Sequence, residues 1–382
     1  MAIRDKKTIM LVVTAEQTAS LFVSGFAARL ARDGHRVVVV ADSLSRLAES
    51  AEQSGVELAP VPMRRSPSPL SDLHSLFALL RVTRRVRPDI LTYATPKASL
   101  LGSVAGRLAG IRTRVYQLWG LRLETVTGLG RGALSAIELL TSRLSTSIVA
   151  NSPSLRNRYL DLSLNGGRNV SVLGLGSSHG VDLQRFSRDA PMPALDDVTA
   201  SFLQRTEGMT IGFIGRLHPD KGVFDLKEAA RICLSRGHRV RLLIVGPDEG
   251  IADYLKDDED VPMRLTGETE DPRPYLAAMD VLCLPSLREG FPNVVLEAGA
   301  MGRASVVSDA TGAVDSVIDG STGIVTPAGD ADELAKALIK LATDPQLLAS
   351  LGQGAFDHVR TNFDQFKVWD ALANYLLSQS QT

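Results

Sequence analysis

Four charged residues in the C-terminal half of the chain have the types and spacing to hold an extended anionic ligand. The apolar run TIGFIG ends in Gly215-Arg216-Leu217-His218-Pro219-Asp220-Lys221-Gly222. Arg216 offers a planar fork and Lys221 a point charge, two complementary contacts for a diphosphate. Gly215, at the end of the run, lets a ligand approach the backbone closely. A second run, DVLCLPS, leads into Leu287-Arg288-Glu289-Gly290-Phe291-Pro292-Asn293-Val294-Val295-Leu296-Glu297. Pro292 suits the first turn of a helix, where its missing N–H is no loss. The N-terminus of that helix is a ready anion site.

Glu289 precedes the expected helix and Glu297 lies inside it. Eight helical residues span about 12 Å, more than the roughly 5–9.5 Å between paired glycosidase carboxylates. The spacing therefore argues against an acid/base pair and predicts one carboxylate at each end of the ligand. Glu297 sits among Val294, Val295, Leu296, Ala298 and Ala300, where an unpartnered carboxylate would be costly to bury. Hydroxyl or basic partners are expected there.

The elements that must position these residues alternate along the chain. Short β-branched runs (TIMLVVT, HRVVVVA, DILTYA, TRVYQL, TSIVA) are followed by longer helical stretches such as LFVSGFAARLARDG. Strands alternating with helices imply parallel sheets covered on both faces. The pattern restarts at residue 210 and continues through HRVRLLIVG, DVLCLPS and SVVSD, with RDGHRVVVV echoed by SRGHRVRLLIV. The predicted fold is α/β, two Rossmann-like doubly wound domains with a ligand cleft between them. The expected divisions are an N-terminal domain over 1–188, a C-terminal domain over 189–362, and a C-terminal helix over 363–382 that could pack on either domain. Residues 174–207, rich in Gly, Ser, Pro and Asp, read as an irregular linker.

Bulk composition sets outer limits. The chain has 382 residues, 44% hydrophobic and 22% charged, as in ordinary two-domain globular proteins. Cys233 and Cys283 lie in apolar runs and read as buried hydrophobes without metal spacing. No apolar run reaches the roughly 18 residues of a membrane helix. Thr8–Val13 is too short for a signal-peptide core, which predicts a cytoplasmic chain. The net charge of -1 hides an asymmetry: residues 1–190 carry 25 Lys and Arg against 14 Asp and Glu, the remainder 17 against 29. Arg64, Arg65, Arg81, Arg84, Arg85 and Arg87 concentrate part of the excess on and before one helix. They suit an anionic acceptor or membrane surface, or a solvated face.

Taken together, the two charged segments resemble the family-four glycosyltransferases of the two-domain GT-B fold. Gly215-Arg216 through Lys221-Gly222 is similar to the family's phosphate-binding segment, and Glu289-Gly290-Phe291-Pro292 through Glu297 to its E-x7-E signature. The resemblance covers most of 205–345. It implies that Arg216 and Lys221 hold a donor diphosphate and that Glu297 binds ribose hydroxyls. Glu289 with Gly290, Phe291, Pro292 and Asn293 would hold the sugar. The segment at 265–269, with Thr266 and Glu268, would lie beside the base. Arg216, Lys221 and Glu289 are then the residues closest to catalysis.

The N-terminal half resembles a narrower bacterial group that assembles capsule, exopolysaccharide and lipid-linked oligosaccharide. The matching stretches are TPKASLLG (95–102), GLRLE (120–124) and GSSHGVD (176–182). Thr95, Lys97, Trp119, Arg122 and His179 are the acceptor-side candidates. The implied activity is retaining transfer of a hexose or N-acetylhexosamine from a UDP-sugar to a glycan on a polyprenyl diphosphate. The implied location is the inner face of the cell membrane, with no nucleic-acid partner. No cofactor is implied, and no Asp-x-Asp or clustered His/Asp metal site falls at a predicted strand end, so transfer is expected to be metal-independent. A GDP-mannose-dependent lipid mannosyltransferase and a nucleotide-sugar epimerase of the same fold are the alternatives. The chain departs from many relatives in two places. Thr14-Ala15-Glu16-Gln17-Thr18-Ala19-Ser20 replaces a Gly-Gly loop, and Gln117-Leu118-Trp119-Gly120 lacks a cleft histidine. The proton acceptor is therefore unassigned.

Overall fold

The computed structural model describes residues 6–64, 66, 68–256 and 260–380; Arg65 lies outside them. The chain divides into two compact units, Met1–His179 with Phe366–Thr382, and Gly180–Gln365.

In the first unit the strands are β1 (Thr8–Val12), β2 (Arg36–Val40), β3 (Glu57–Leu58), β4 (Ile90–Tyr93), β5 (Thr113–Leu118), β6 (Ser147–Ala150) and β7 (Val170–Val172). They form a parallel sheet in the order β3-β2-β1-β4-β5-β6-β7. In the second unit, β8 (Met209–Ile214), β9 (Val240–Val245), β10 (Met263–Leu265), β11 (Val281–Leu284), β12 (Ala304–Ser308) and β13 (Gly323–Thr326) form another, ordered β10-β9-β8-β11-β12-β13 and also parallel. The central strands are buried on both faces, as in VLCL of β11, which is why they read as continuous apolar runs. Strand order reverses between β1 and β4, and again between β8 and β11. Such switch points open a crevice at the carboxyl ends of the strands.

Four short strands escaped the sequence reading. β3, β7, β10 and β13 have two to four residues and are largely half-buried, too short for a clear period. The expected linker over 174–207 is also corrected. It contains a helix, Asp197–Arg205, whose first turn is capped by Asp196 Oδ1 accepting from Thr199 N at 2.8 Å. Arg264 steadies that turn by donating to Thr199 Oγ1 at 3.1 Å. Cys233 and Cys283 are buried free thiols.

The last helix, Gln365–Gln379, begins two residues later than its apolar pattern suggests. Phe363 belongs to the core of the second unit, whereas Trp369, Leu372, Ala373 and Leu376 join the core of the first. A Cβ at Gly25 would sit 2.7 Å from the Trp369 ring, so that glycine makes room for the indole. Where the chain enters and leaves the second unit, Val181 N donates to Phe363 O at 2.8 Å and Gln365 N to Val181 O at 2.9 Å.

Candidate active site

The switch point of the second unit brings together two of the charged residues that sequence spacing singled out, Lys221 and Glu289. The loop after β8 carries Arg216 and Lys221; the loop after β11 carries Glu289. Lys221 Nζ donates to Glu289 Oε1 at 2.6 Å, with both side chains largely shielded from solvent. Ser286 Oγ donates to the same oxygen at 2.8 Å.

A second bond set ties the loops together. Leu287 N donates to Asp220 O at 2.8 Å, and Arg288 Nη2 to Asp220 Oδ2 at 2.5 Å. His218 Nδ1 lies 2.5 Å from Asp220 Oδ1. Burial alone would raise the Asp220 pKa, but Arg288, His218 and Lys221 together hold it below the usual carboxylate value. Asp220 is thus a buried anion kept charged by its neighbours. The turn requires Gly222, whose φ is +68° and whose Cβ would meet Pro285 O at 2.0 Å. Glu289 is further set by its N–H bond to Thr311 O at 2.9 Å. Beyond it, a Cβ at Gly312 would lie 2.3 Å from Gly290 O.

Pro292 forms the N-cap of the helix Asn293–Ala300. Only part of the interval from Glu289 to Glu297 is therefore helical, and the 12 Å estimate for a continuous helix does not apply to it. Phe291 and Pro292 are buried, with the Phe291 ring 5.6 Å from that of Phe363. Asn293 Nδ2 donates to Gly180 O at 2.9 Å. Glu297 lies one turn into the helix. Burial pushes its carboxyl up to about 7, Arg185 opposing and Asp271 adding to the effect. Its environment favours the neutral acid until hydroxyl or cationic partners arrive.

At the neighbouring strand ends, Arg216 Nη1 donates to Glu249 Oε2 at 2.6 Å. Gly215 and Gly246 pack so closely that a Cβ on Gly246 would lie 1.9 Å from Gly215 O. Gly246 N donates to Gly267 O at 2.8 Å, and Thr266 N to Ile244 O at 3.0 Å. These bonds bring Thr266 and the exposed Glu268 to the carboxyl ends of β10 and β9.

The acceptor-side candidates fall in the first unit and do not all converge. Thr95 follows β4 with φ +67°. It bonds across the switch point to Thr14, its Oγ1 accepting from Thr14 N at 3.1 Å and lying 2.7 Å from Thr14 Oγ1. Lys97 is engaged elsewhere, donating to Ser66 O at 2.7 Å and to Asp72 Oδ1 at 2.5 Å. Arg122 opens a short turn and is exposed. Trp119 and His179 both contact Phe22, at ring distances of 5.6 and 4.7 Å. Burial lowers the His179 pKa to about 4, so the imidazole is neutral near pH 7; Ser178 Oγ lies 2.8 Å from its Nδ1.

Three residues were missed by sequence reasoning: Phe22, Glu249 and Asp220. Asp220 lay inside the recognised segment, but nothing local distinguished it from a solvated turn residue. Among the described residues, no three His, Cys, Asp or Glu side chains cluster as a metal site would require.

Comparison with known proteins agrees with this architecture. Residues 208–344 match the family described as glycosyl transferases group 1, and residues 18–176 the glycosyl transferase 4-like domain. The chain is 32% identical over 329 residues to the capsular polysaccharide biosynthesis glycosyltransferase CapM of Staphylococcus aureus, covering 84% of this chain and 86% of that protein. It is 26% identical to an Escherichia coli UDP-Gal:alpha-D-GlcNAc-diphosphoundecaprenol alpha-1,3-galactosyltransferase, covering 81% and 80%. Anabaena HepE, solved with UDP and glucose, superposes with a TM-score of 0.77 at 21% identity, covering 97% of this chain and 100% of HepE.

Two doubly wound parallel-sheet units with a charged switch-point site define a glycosyltransferase of the GT-B fold. The chain belongs to that family and is related to the sugar transferases of bacterial capsule and lipopolysaccharide synthesis.

Proposed function

We propose that the protein is a retaining glycosyltransferase that moves a hexose or N-acetylhexosamine from a UDP-sugar to a glycan carried on a polyprenyl diphosphate. The observation that carries this reading is the meeting of Lys221 and Glu289 at the β8/β11 switch point, with Arg216 in the same loop as Lys221. That pairing supports a reading in which a cation for a diphosphate stands next to a carboxylate for a sugar. UDP and a diphosphoundecaprenol acceptor are named for proteins similar to this one.

In this reading Arg216 and Lys221 hold the donor diphosphate, while Gly215 admits it to the backbone. Thr266 and Glu268 flank the base, and Glu297 accepts from the ribose hydroxyls. Glu289, with the main chain of Gly290, Phe291, Pro292 and Asn293, orients the sugar. An acceptor hydroxyl oxygen attacks the anomeric carbon as its bond to the diphosphate oxygen breaks. The proton passes to the departing diphosphate on the same face, and the two cations stabilise its growing charge. This route gives the proton a destination without a side-chain base and uses no metal; a strict divalent-ion requirement after chelation would count against it. Thr95, Lys97, Trp119, Arg122 and His179 are the acceptor-side residues in this reading.

The same proposal puts the enzyme at the inner face of the cell membrane as a peripheral protein. Helices Pro69–Val86, Pro96–Leu108 and Gly128–Leu144 of the first unit pack in series. They present exposed Leu70, Leu73, Phe77 and Leu129 together with exposed Arg81, Arg84 and Arg85. Apolar side chains bordered by cations suit an anionic lipid surface. Among the described residues no helix is long and apolar enough to cross a membrane.

A thermal-shift panel of UDP- and GDP-sugars tests the donor, since a ligand that binds the folded state stabilises it. UDP-sugars should raise the melting temperature, and turnover with lipid-diphosphate acceptors should follow. Stabilisation by GDP-mannose alone would replace this reading with a mannosyltransferase.

A further inference from the structure

The donor assignment leaves Glu249 without a role. Glu249, in the loop after β9, receives Arg216 Nη1 at 2.6 Å, and both side chains are partly open to solvent. Main-chain bonds set its position. Leu217 N donates to Pro247 O at 2.9 Å, and Glu249 N donates back to Leu217 O at 3.1 Å. The adjacent Asp248 is committed to its own turn, where Oδ1 accepts the N–H groups of Gly250, Ile251 and Ala252 at 2.9, 2.9 and 3.0 Å. Of these two neighbouring carboxylates, Glu249 is the one bonded to Arg216.

We infer that Glu249 is a resident counter-ion for Arg216 which the donor diphosphate must displace, so that it tunes affinity for both the nucleotide-sugar and the nucleoside diphosphate product. The inference rests on the donor reading above. Carboxylate and phosphate oxygens compete for the same guanidinium edge. A partly exposed ion pair holds only weakly, so a multiply charged diphosphate displaces it and loses some affinity in doing so. After transfer, Glu249 reclaims Arg216 as the product leaves. Glu289 stands in a different position, because its partner Lys221 shares it with Ser286 and the reading places it on the sugar. Glu249 makes no such sugar contact in that reading and acts through Arg216 alone, as a positioning residue.

The test is calorimetric binding of UDP and of uridine to the wild type, Glu249→Gln, Arg216→Ala and the double variant, with steady-state kinetics alongside. Because backbone bonds hold the loop, Glu249→Gln should fold normally. It should bind UDP about two- to fivefold tighter, the range expected for releasing one exposed pair, with uridine binding unchanged. Donor KM should fall without a rise in kcat, and the tightening should vanish in the Arg216→Ala background. Equal or weaker UDP binding by Glu249→Gln would overturn the inference. So would tightening that extends to uridine or survives loss of Arg216. A wild type that does not bind UDP would overturn the donor reading and this inference together. A wild type that binds UDP, with a variant that fails to tighten, would overturn the inference alone.

Discussion

Lys221 Nζ and Glu289 Oε1 lie 2.6 Å apart although the residues come from loops that follow different, adjacent strands. The pair closes the gap between β8 and β11 at the point where strand order reverses. In the proposed reaction each partner gains a second task, the cation on a phosphate and the carboxylate on a sugar. Lys221→Ala and Arg216→Ala should each reduce kcat/KM by about 10²-fold or more, as loss of an oxyanion-stabilising donor does. Circular dichroism should show an intact fold in both. Near-normal kinetics in both variants would remove the diphosphate assignment.

Glu297 supplies a pH signature. Burial raises its carboxyl from 4.5 to about 7, so the folded state holds this proton more tightly than the unfolded chain. The associated stability is fully present below about pH 4.5 and is lost as pH rises through about 7. Glu297→Gln removes the titrating group and should flatten that decline. Relative to wild type it should gain on the order of 2–3 kcal/mol by pH 8, read from melting temperature against pH. It should also weaken UDP binding, because an amide is a poorer acceptor for ribose hydroxyls than a carboxylate. A variant whose stability profile parallels that of wild type across pH 5–8 would show that Glu297 does not titrate in this window.

The division between what could and could not be read from the chain follows the range of the interactions. Arg216 with Lys221, and Glu289 with Glu297, sit within single segments, so residue type and spacing exposed them. Central strands such as β1, β2, β8 and β9 announced themselves as β-branched runs because both faces are covered. Glu249 could not be singled out in that way. It reaches Arg216 only because β8 and β9 pair in register, from Met209 opposite Val240 to Ile214 opposite Val245. Asp220 meets Arg288 through the β8/β11 adjacency, and Phe22 meets Trp119 and His179 although they are far apart in sequence. Only the 12 Å figure erred, since it counted all of 289–297 as helical rise, whereas Pro292 is the cap and the helix starts at Asn293.

A buried acid in the first unit gives an independent pH test away from the donor residues. Glu138 Oε2 accepts from Tyr116 Oη at 2.9 Å and from Tyr159 Oη at 3.2 Å. Burial nevertheless pushes its carboxyl up to about 7, and the two hydroxyls only partly offset it. Tyr116→Phe removes a donor that the ionised form needs more than the neutral one. It should destabilise the protein by about 1–3 kcal/mol, with the larger loss at pH 8 and the smaller at pH 6. Melting curves at the two pH values separate this from simple loss of packing, which would cost the same at both.

The exposed helical face of the first unit makes the membrane proposal testable without reference to catalysis. On Pro69–Val86, Leu70 is 86% exposed and Phe77 63% exposed, while Arg81, Arg84 and Arg85 follow along the same helix. Apolar insertion and electrostatic attraction respond differently to salt, because charge attraction fades beyond a Debye length of about 8 Å at physiological ionic strength. Replacing the three arginines by alanine should lower partitioning onto anionic vesicles and remove most of its salt dependence. Replacing Leu70, Leu73 and Phe77 by serine should lower partitioning at every salt concentration. Neither set is buried, so melting temperatures should stay close to wild type. Co-sedimentation with phosphatidylglycerol vesicles against phosphatidylcholine controls reads both effects. Equal partitioning of all variants would place membrane contact on another surface.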